Sequence, residues 1–488
     1  MGYSTLTQHK RVNGVLKTPM NLIPFMTPME KNETWTYGRM PEYIWLSLIL
    51  DYYGSEEGFR KVAAINKQIH TIAHELSLPQ LSQILKLPSD KQDKIYYSIK
   101  TITKQDILTP LTLFLTIDNA PRFANAFYIN NESIDSRYSK LKNIIDKTSS
   151  QSSDITNHTR YCVLCFIASD GRLHVRKQQA EEYSKYQFLS TNTEEYKKIS
   201  SSIRATEGLL IKMNDTLDEQ YLNNFWECVS KMTYCNLAVL DFSENRSLKD
   251  FNSKVYNILV YLKDLYQSVF PLNKKLEIYL GMLTYSYKRL KEIDEHNLYT
   301  TIAGRSEIRS LIENFIVSKY LITFEKDKPQ IWDDFEKYGI GGIKKIVLFE
   351  REHQNERREK SHISYEYLDF LLNEYKMEEF TDIDLRYFDN SRIDKKAEDV
   401  DEKEIVSLYY NYDTQYEHGL WGAIRESSML KCDNSTHQYH LIPDIEDEQK
   451  LKSIYSDCIF VMKKMISFYA SQIEIPESLV KEVSEYND

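Results

Sequence analysis

The chain of 488 residues is short of turn-formers, with 14 glycines and 12 prolines. Gly and Pro punctuate turns, so their scarcity argues against many short strands and favours long helices. Cysteine is scarce too. Six in a chain of this length cannot build a disulfide framework, which points to a reducing compartment. Long hydrophobic runs are missing: the most apolar, Tyr43–Leu50, is too short to cross a bilayer. The first ten residues are polar, so no secretory leader is expected, and Leu6 stands where a myristoylation signal needs Ser or Thr. A cytoplasmic protein with no membrane partner is the expectation. An excess of positive charge is also absent. The net charge is −10 and the pI about 5.7, which disfavours non-specific nucleic-acid binding through the whole surface while leaving room for a local groove.

Several chemistries lack their residues. There is no GxSxG, Walker loop, dinucleotide fingerprint or kinase set, so acyl transfer, P-loop hydrolysis and NAD chemistry are disfavoured. Gly339-Ile-Gly-Gly342 has no Lys-Ser/Thr after it and reads as a turn. Cys162-Val-Leu-Cys165 is the one CxxC; it lies in an apolar run that favours packing over zinc, and Cys228 and Cys235 fit no zinc spacing.

What is present is helical periodicity. Trp45, Leu46, Leu48, Ile49 and Tyr52 recur on one face, as do Ile308, Leu311, Ile312 and Phe315. The expected class is mainly α: a multi-helix bundle with a small β-hairpin insertion at about 161–177, where Asp170-Gly171 supplies the turn signal. The expected division is an N-terminal helical domain over 1–146, a middle helical region with the hairpin over 158–270, and a C-terminal helical domain over 271–488 carrying the candidate site. The Ser-rich stretch Lys147–Asn157 reads as an exposed connection.

The densest chemistry lies between Tyr412 and Pro443. A helix ending at Tyr416-Glu417 would set His418 at the negative end of its dipole, with Gly419 as the left-handed residue that closes it. His418 as general acid/base, Arg425 or Arg305 as phosphate clamp and Tyr416 as orienting group would suit a metal-independent phosphodiesterase or RNase acting on RNA or nucleotides. No cofactor is implied. Packing is the plainer role for His418, which could simply cap the helix. On the helix that follows Gly304, Arg309 and Glu313 are spaced to pair. His437-Gln-Tyr-His440 offers two imidazoles that could hold a metal with Asp413, Asp433 or Asp444, which would make a metal-dependent hydrolase the minor alternative. Arg357-x4-His362 fits a loose helical-RNase spacing that chance alone readily supplies in a chain with 11 histidines.

The phrases Pro19-Met-Asn-Leu-Ile-Pro24, Trp35 with Arg39-Met-Pro-Glu42, Trp332 with Tyr338-Gly339, His418-Gly-Leu-Trp-Gly-Ala-Ile-Arg425 and His437-x-x-His440 with Pro443 resemble a family of large, mostly helical bacterial proteins of unknown function. Gly304-Arg305 and Glu313 are similar to a helical module of such proteins. The resemblance implies a mobile-element or anti-phage defence setting, either as a toxin-type effector or as a non-catalytic scaffold or sensor with protein partners encoded in the same operon. Its tie to HEPN-type helical RNases is an analogy of fold only, and the Arg–His spacing of those enzymes falls outside the phrases that carry the likeness. An oligomer is compatible with either reading.

Overall fold

In the computed structural model the described residues are 5–19, 22, 30–31, 33–214, 217–244, 246–269, 273–353, 362–374 and 378–487. Helices take 69% of the chain and strands 4%, so the class is mainly α. The chain forms two compact units: Met1–Ala238 with Lys431–His440, and Val239–Leu430 with Leu441–Asp488. Arg357 lies outside the described residues. Among the described residues no helix is long and apolar enough to cross a membrane.

The first unit is built on the helix Met40–Ile72, with Pro41 in its first turn, where a missing N–H costs nothing. Every residue from Met40 to Leu50 is buried, so this stretch is a core helix rather than a surface one. Gly54 bends it, at φ +73, a conformation that a side chain would resist. The helix Asp154–Ser169 packs along it, where the β-hairpin was expected. The hairpin expectation over 161–177 is therefore wrong. Tyr161–Ile167 is an apolar run because the helix is buried on most of its circumference, and such a run cannot be told from a strand by periodicity. Asp170-Gly171 only ends it, with Gly171 N–H bonded back to Ala168.

The Ser-rich stretch joins two packed helices instead of exposing a linker. Ile134–Ser149 ends and Asp154–Ser169 begins within a few residues, capped by the Ser153 hydroxyl, which accepts from Thr156 N–H at 3.3 Å. Thr148 and Thr156 are buried, and the Trp35 indole donates to the Thr148 carbonyl at 2.8 Å. A hairpin does occur near the start, Lys10–Val12 against Val15–Lys17, turned by Asn13 (φ 49) and Gly14 (φ 80).

The second unit centres on the helix Ile302–Phe324, which packs on Lys274–Glu295, Asn411–Glu417 and Tyr455–Ala470. Thr301 caps it, accepting from Gly304 N–H at 3.1 Å. A Cβ on Gly304 would stand 2.0 Å from the Leu298 carbonyl oxygen, so only glycine fits there. Ile308, Leu311, Ile312 and Phe315 are all buried, as their spacing predicts. Burying side chains of this size contributes about 1.5–3 kcal/mol each. Gly339–Gly342 is not a turn: the helix Ile331–Glu352 runs through it. Gly341 is required instead by close approach, since a Cβ there would lie 2.6 Å from the Asp382 carbonyl oxygen. Lys403–Ile405 continues through one wide π-turn, Val406–Tyr410, into Asn411–Glu417.

Candidate functional site

The helix Asn411–Glu417 stops at His418 because Gly419 takes φ +56. Gly419 N–H bonds the Tyr416 carbonyl at 3.2 Å and Leu420 N–H bonds that of Gln415 at 2.9 Å, the paired bonds of a Schellman closure. Leu420 then leads into the helix Trp421–Ser428. Both His418 and Arg425 point to solvent, and neither makes a side-chain hydrogen bond or ion pair among the described residues. Tyr416 and Arg305 are buried and meet: the guanidinium lies 5.8 Å from the Tyr416 ring centre and 6.0 Å from that of Tyr412. The structure therefore divides the four sequence candidates into an inner pair and an outer pair.

Around the inner pair is a closed polar cluster. Arg305 Nη2 donates to the Lys452 carbonyl at 2.5 Å, while its Nε finds no acceptor among the described residues. The Tyr412 hydroxyl donates to Glu426 at 2.7 Å and lies 3.0 Å from that of Tyr416. Arg309 reaches the Tyr410 hydroxyl at 2.6 Å, Thr414 at 3.1 Å and Glu313, its expected partner, at 3.6 Å. Asp413 is 4% exposed; burial pushes its carboxyl up to about 7, against the pull of Arg305 and Arg309 and with the repulsion of Asp457. Burial raises Asp457 as well. Sequence reasoning treated Asp413 only as a spare metal ligand. Its position three residues before Tyr416, on the same inward face of the helix, is the signal for its burial.

The outer pair shares its surface with large apolar side chains. Trp421 is 63% exposed, Leu408 57% and Leu420 49%, and Ile424 and Tyr412 are exposed beside them in sequence. Leu408 and Tyr412 are one turn apart, and Tyr412 bonds Glu426 on the helix that carries Trp421, Ile424 and Arg425.

His437 and His440 belong to the first unit, whereas Asp413 belongs to the second. Among the described residues no aspartate joins them. What converges there is Cys235 and Cys432: the four ligand atoms lie within 4.8 Å of one another. The expected His–His–Asp arrangement is corrected to a Cys–Cys–His–His one. Cys235 was passed over because it precedes His437 and His440 by 202 and 205 residues.

Residues 276–437 match the model of a family described as a family of unknown function (DUF5677). The matched stretch covers Arg305, Tyr416, His418, Arg425 and His437, and leaves out Cys235 and His440. No curated protein and no solved structure matches the chain.

Proposed function

We propose that this is a helical binding protein, a scaffold or sensor subunit of a bacterial defence complex, that docks a protein partner on the outer face of residues 408–428. The observation that carries this reading is the exposure of Trp421 at 63% with Leu420, Ile424 and Arg425 around it. Grouped apolar exposure marks interaction surfaces, and Trp and Arg are the side chains that dominate interface energetics. The inner cluster fits the same reading: Arg305 and Asp413 are buried, and Arg305 lies against Tyr412 and Tyr416 of the helix that leads into this face. Affinity purification of the full chain with its operon neighbours tests the idea. Trp421→Ser should lose the co-purifying protein without loss of fold; a variant that keeps every partner sinks the reading.

A second reading is favoured by one observation, the Asp413 carboxyl raised to about 7 beside Arg305. Acids tuned to neutral pH next to a cation suit acid–base chemistry. In that reading the protein is a toxin-type, metal-independent ribonuclease or phosphodiesterase, with His418 and Arg425 meeting the substrate and Tyr416 and Arg305 behind them. Expression of wild type and His418→Ala in bacteria, followed by growth and total RNA integrity, separates the two. RNA damage that vanishes in His418→Ala supports the enzyme; intact RNA with both removes it.

A further inference from the structure

We infer that Cys235, Cys432, His437 and His440 form a structural zinc site in the first unit. Three sulfur–nitrogen distances are close to those of a tetrahedral zinc site. With zinc–sulfur near 2.3 Å and zinc–nitrogen near 2.0–2.1 Å, a tetrahedral site sets sulfur and nitrogen about 3.5 Å apart. Here His437 Nδ1 is 3.5 Å from the Cys235 sulfur and 3.6 Å from that of Cys432, and His440 Nε2 is 3.1 Å from the Cys235 sulfur. The two rings are 5.3 Å apart and cross at 87°, as two edges of one polyhedron do and stacked rings do not.

The protein also fixes which nitrogen of His437 faces the sulfurs. Its Nε2 lies 3.1 Å from the Ser230 carbonyl, 3.2 Å from the Thr233 carbonyl and 3.0 Å from the Thr233 hydroxyl. A carbonyl accepts only, so Nε2 carries the proton and Nδ1 presents its lone pair to the sulfurs. Metal-binding imidazoles are oriented in this way by the far nitrogen. The backbone that carries the ligands is equally determined. Cys432 pairs with Leu237 in a short antiparallel ladder, and its N–H bonds the His440 carbonyl at 2.8 Å. The Asn434 side chain accepts from Thr436 N–H at 3.1 Å and donates to Thr233 and the Tyr234 carbonyl, and Gln438 and Tyr439 both take positive φ to bring His440 back. Two consecutive non-glycine residues in that region cost free energy, which a metal bond offsets.

The donor set names the metal class and the role. Two thiolates and two imidazoles in a tetrahedron select zinc among common divalent ions, and two thiolates neutralise its charge. With all four positions supplied by side chains there is no place for an activated water, so the site holds structure and does not hydrolyse. What it holds is the decapeptide 431–440, the part of the first unit that the chain reaches only after passing through residues 239–430.

The test uses untagged full-length protein, exchanged into zinc-containing buffer, gel-filtered and assayed for metal by mass spectrometry. One zinc per chain is expected in wild type and none in Cys235→Ser, a change at an exposed position. Replacing zinc by cobalt(II) in wild type should give the intense visible bands of tetrahedral cobalt with sulfur-to-metal charge transfer, a readout that needs no variant. Thr233→Val, which removes the hydroxyl beside His437 Nε2 and the acceptor of Asn434, should weaken zinc binding by roughly tenfold. Zinc-free wild type, zinc retained by Cys235→Ser, or octahedral cobalt without charge transfer would each overturn the inference.

Discussion

Each unit places charged side chains in or beside its core, and the two meet the cost of burial differently. In the first, Arg39 and Arg160 share the carboxylate of Glu207, with all three side chains at most 4% exposed and Arg160 lying 4.3 Å over the Trp35 ring. In the second, Asp413 and Asp457 face Arg305, with Arg309 also pulling on Asp413 and Lys452 on Asp457. The first carries surplus positive charge and satisfies it by direct contact: Arg39 pairs with Glu207, and Arg160 Nε lies 3.4 Å from the same oxygen. In the second, burial outweighs the nearby cations, and the Asp413 carboxyl is raised to about 7, where it can take up a proton. The difference follows from chemistry. A guanidinium gives up its proton only far above neutral pH, and even burial lowers Arg160 only to about 9. A carboxyl can shed its charge near pH 7, so a buried acid relaxes by taking up a proton where a buried arginine cannot shed one.

Breaking the first cluster should therefore have the larger effect. Glu207→Gln leaves two guanidiniums buried without a counter-charge, and urea unfolding should show a loss of about 3–5 kcal/mol at any pH between 5 and 8. Arg305→Met should cost less, about 1.5–3 kcal/mol at pH 8, and less again at pH 5, where Asp413 can protonate. Equal losses from the two variants at pH 5 would abolish the distinction drawn between the clusters.

The pH dependence sharpens it. In the folded protein the Asp413 carboxyl holds its proton to about 7, while in the unfolded chain it ionises near 3.8. Between these values the folded state carries a proton that the unfolded state has lost, so stability falls as pH rises through this window and levels off above it. Glu42, raised by burial from 4.5 to about 7, adds a slope of the same sign in the first unit. Asp413→Asn should flatten the part of the pH–stability curve that belongs to the second unit, and Glu42→Gln the part that belongs to the first. A curve unchanged in Asp413→Asn would remove that residue from the account. The smallest effect on stability, within about 0.5 kcal/mol, is expected for Trp421→Ser, because the indole is already in water. Thermal unfolding checks it on the same protein used for partner capture.

The sequence showed the fold class and much of the second unit plainly. The stripe from Ile308 to Phe315 and the pairing of Arg309 with Glu313 follow from local spacing, and so does the Gly419 closure after His418. Local rules failed where tertiary burial overrides them. Tyr161–Ile167 looks strand-like because its helix has almost no solvent face, and Gly339–Gly342 looks like a turn because its glycines serve the close approach of a loop carbonyl. The Asn13-Gly14 hairpin was missed for the opposite reason. Its turn residues are the standard ones, but strands exposed along their whole length show no apolar alternation to draw attention to them. The Cys–His cluster was legible only in part: His437 and His440 stand out as a pair with Cys432 close before them, but Cys235 joins them only through the fold.

The π-turn at Val406–Tyr410 has a consequence for how this region can vary by inheritance. Such a turn holds one residue more than an α-turn, and each residue of an α-helix advances about 100°. It sets the phase of everything after it: Asp413 and Tyr416 inward, Tyr412 outward. A substitution within the turn leaves that phase alone. Loss of a single codon there would leave an ordinary α-turn and keep that phase, whereas the same loss just after the turn would rotate the remaining residues by about 100° and carry Asp413 off Arg305, so the turn absorbs a reading-frame-preserving deletion that its flanks do not.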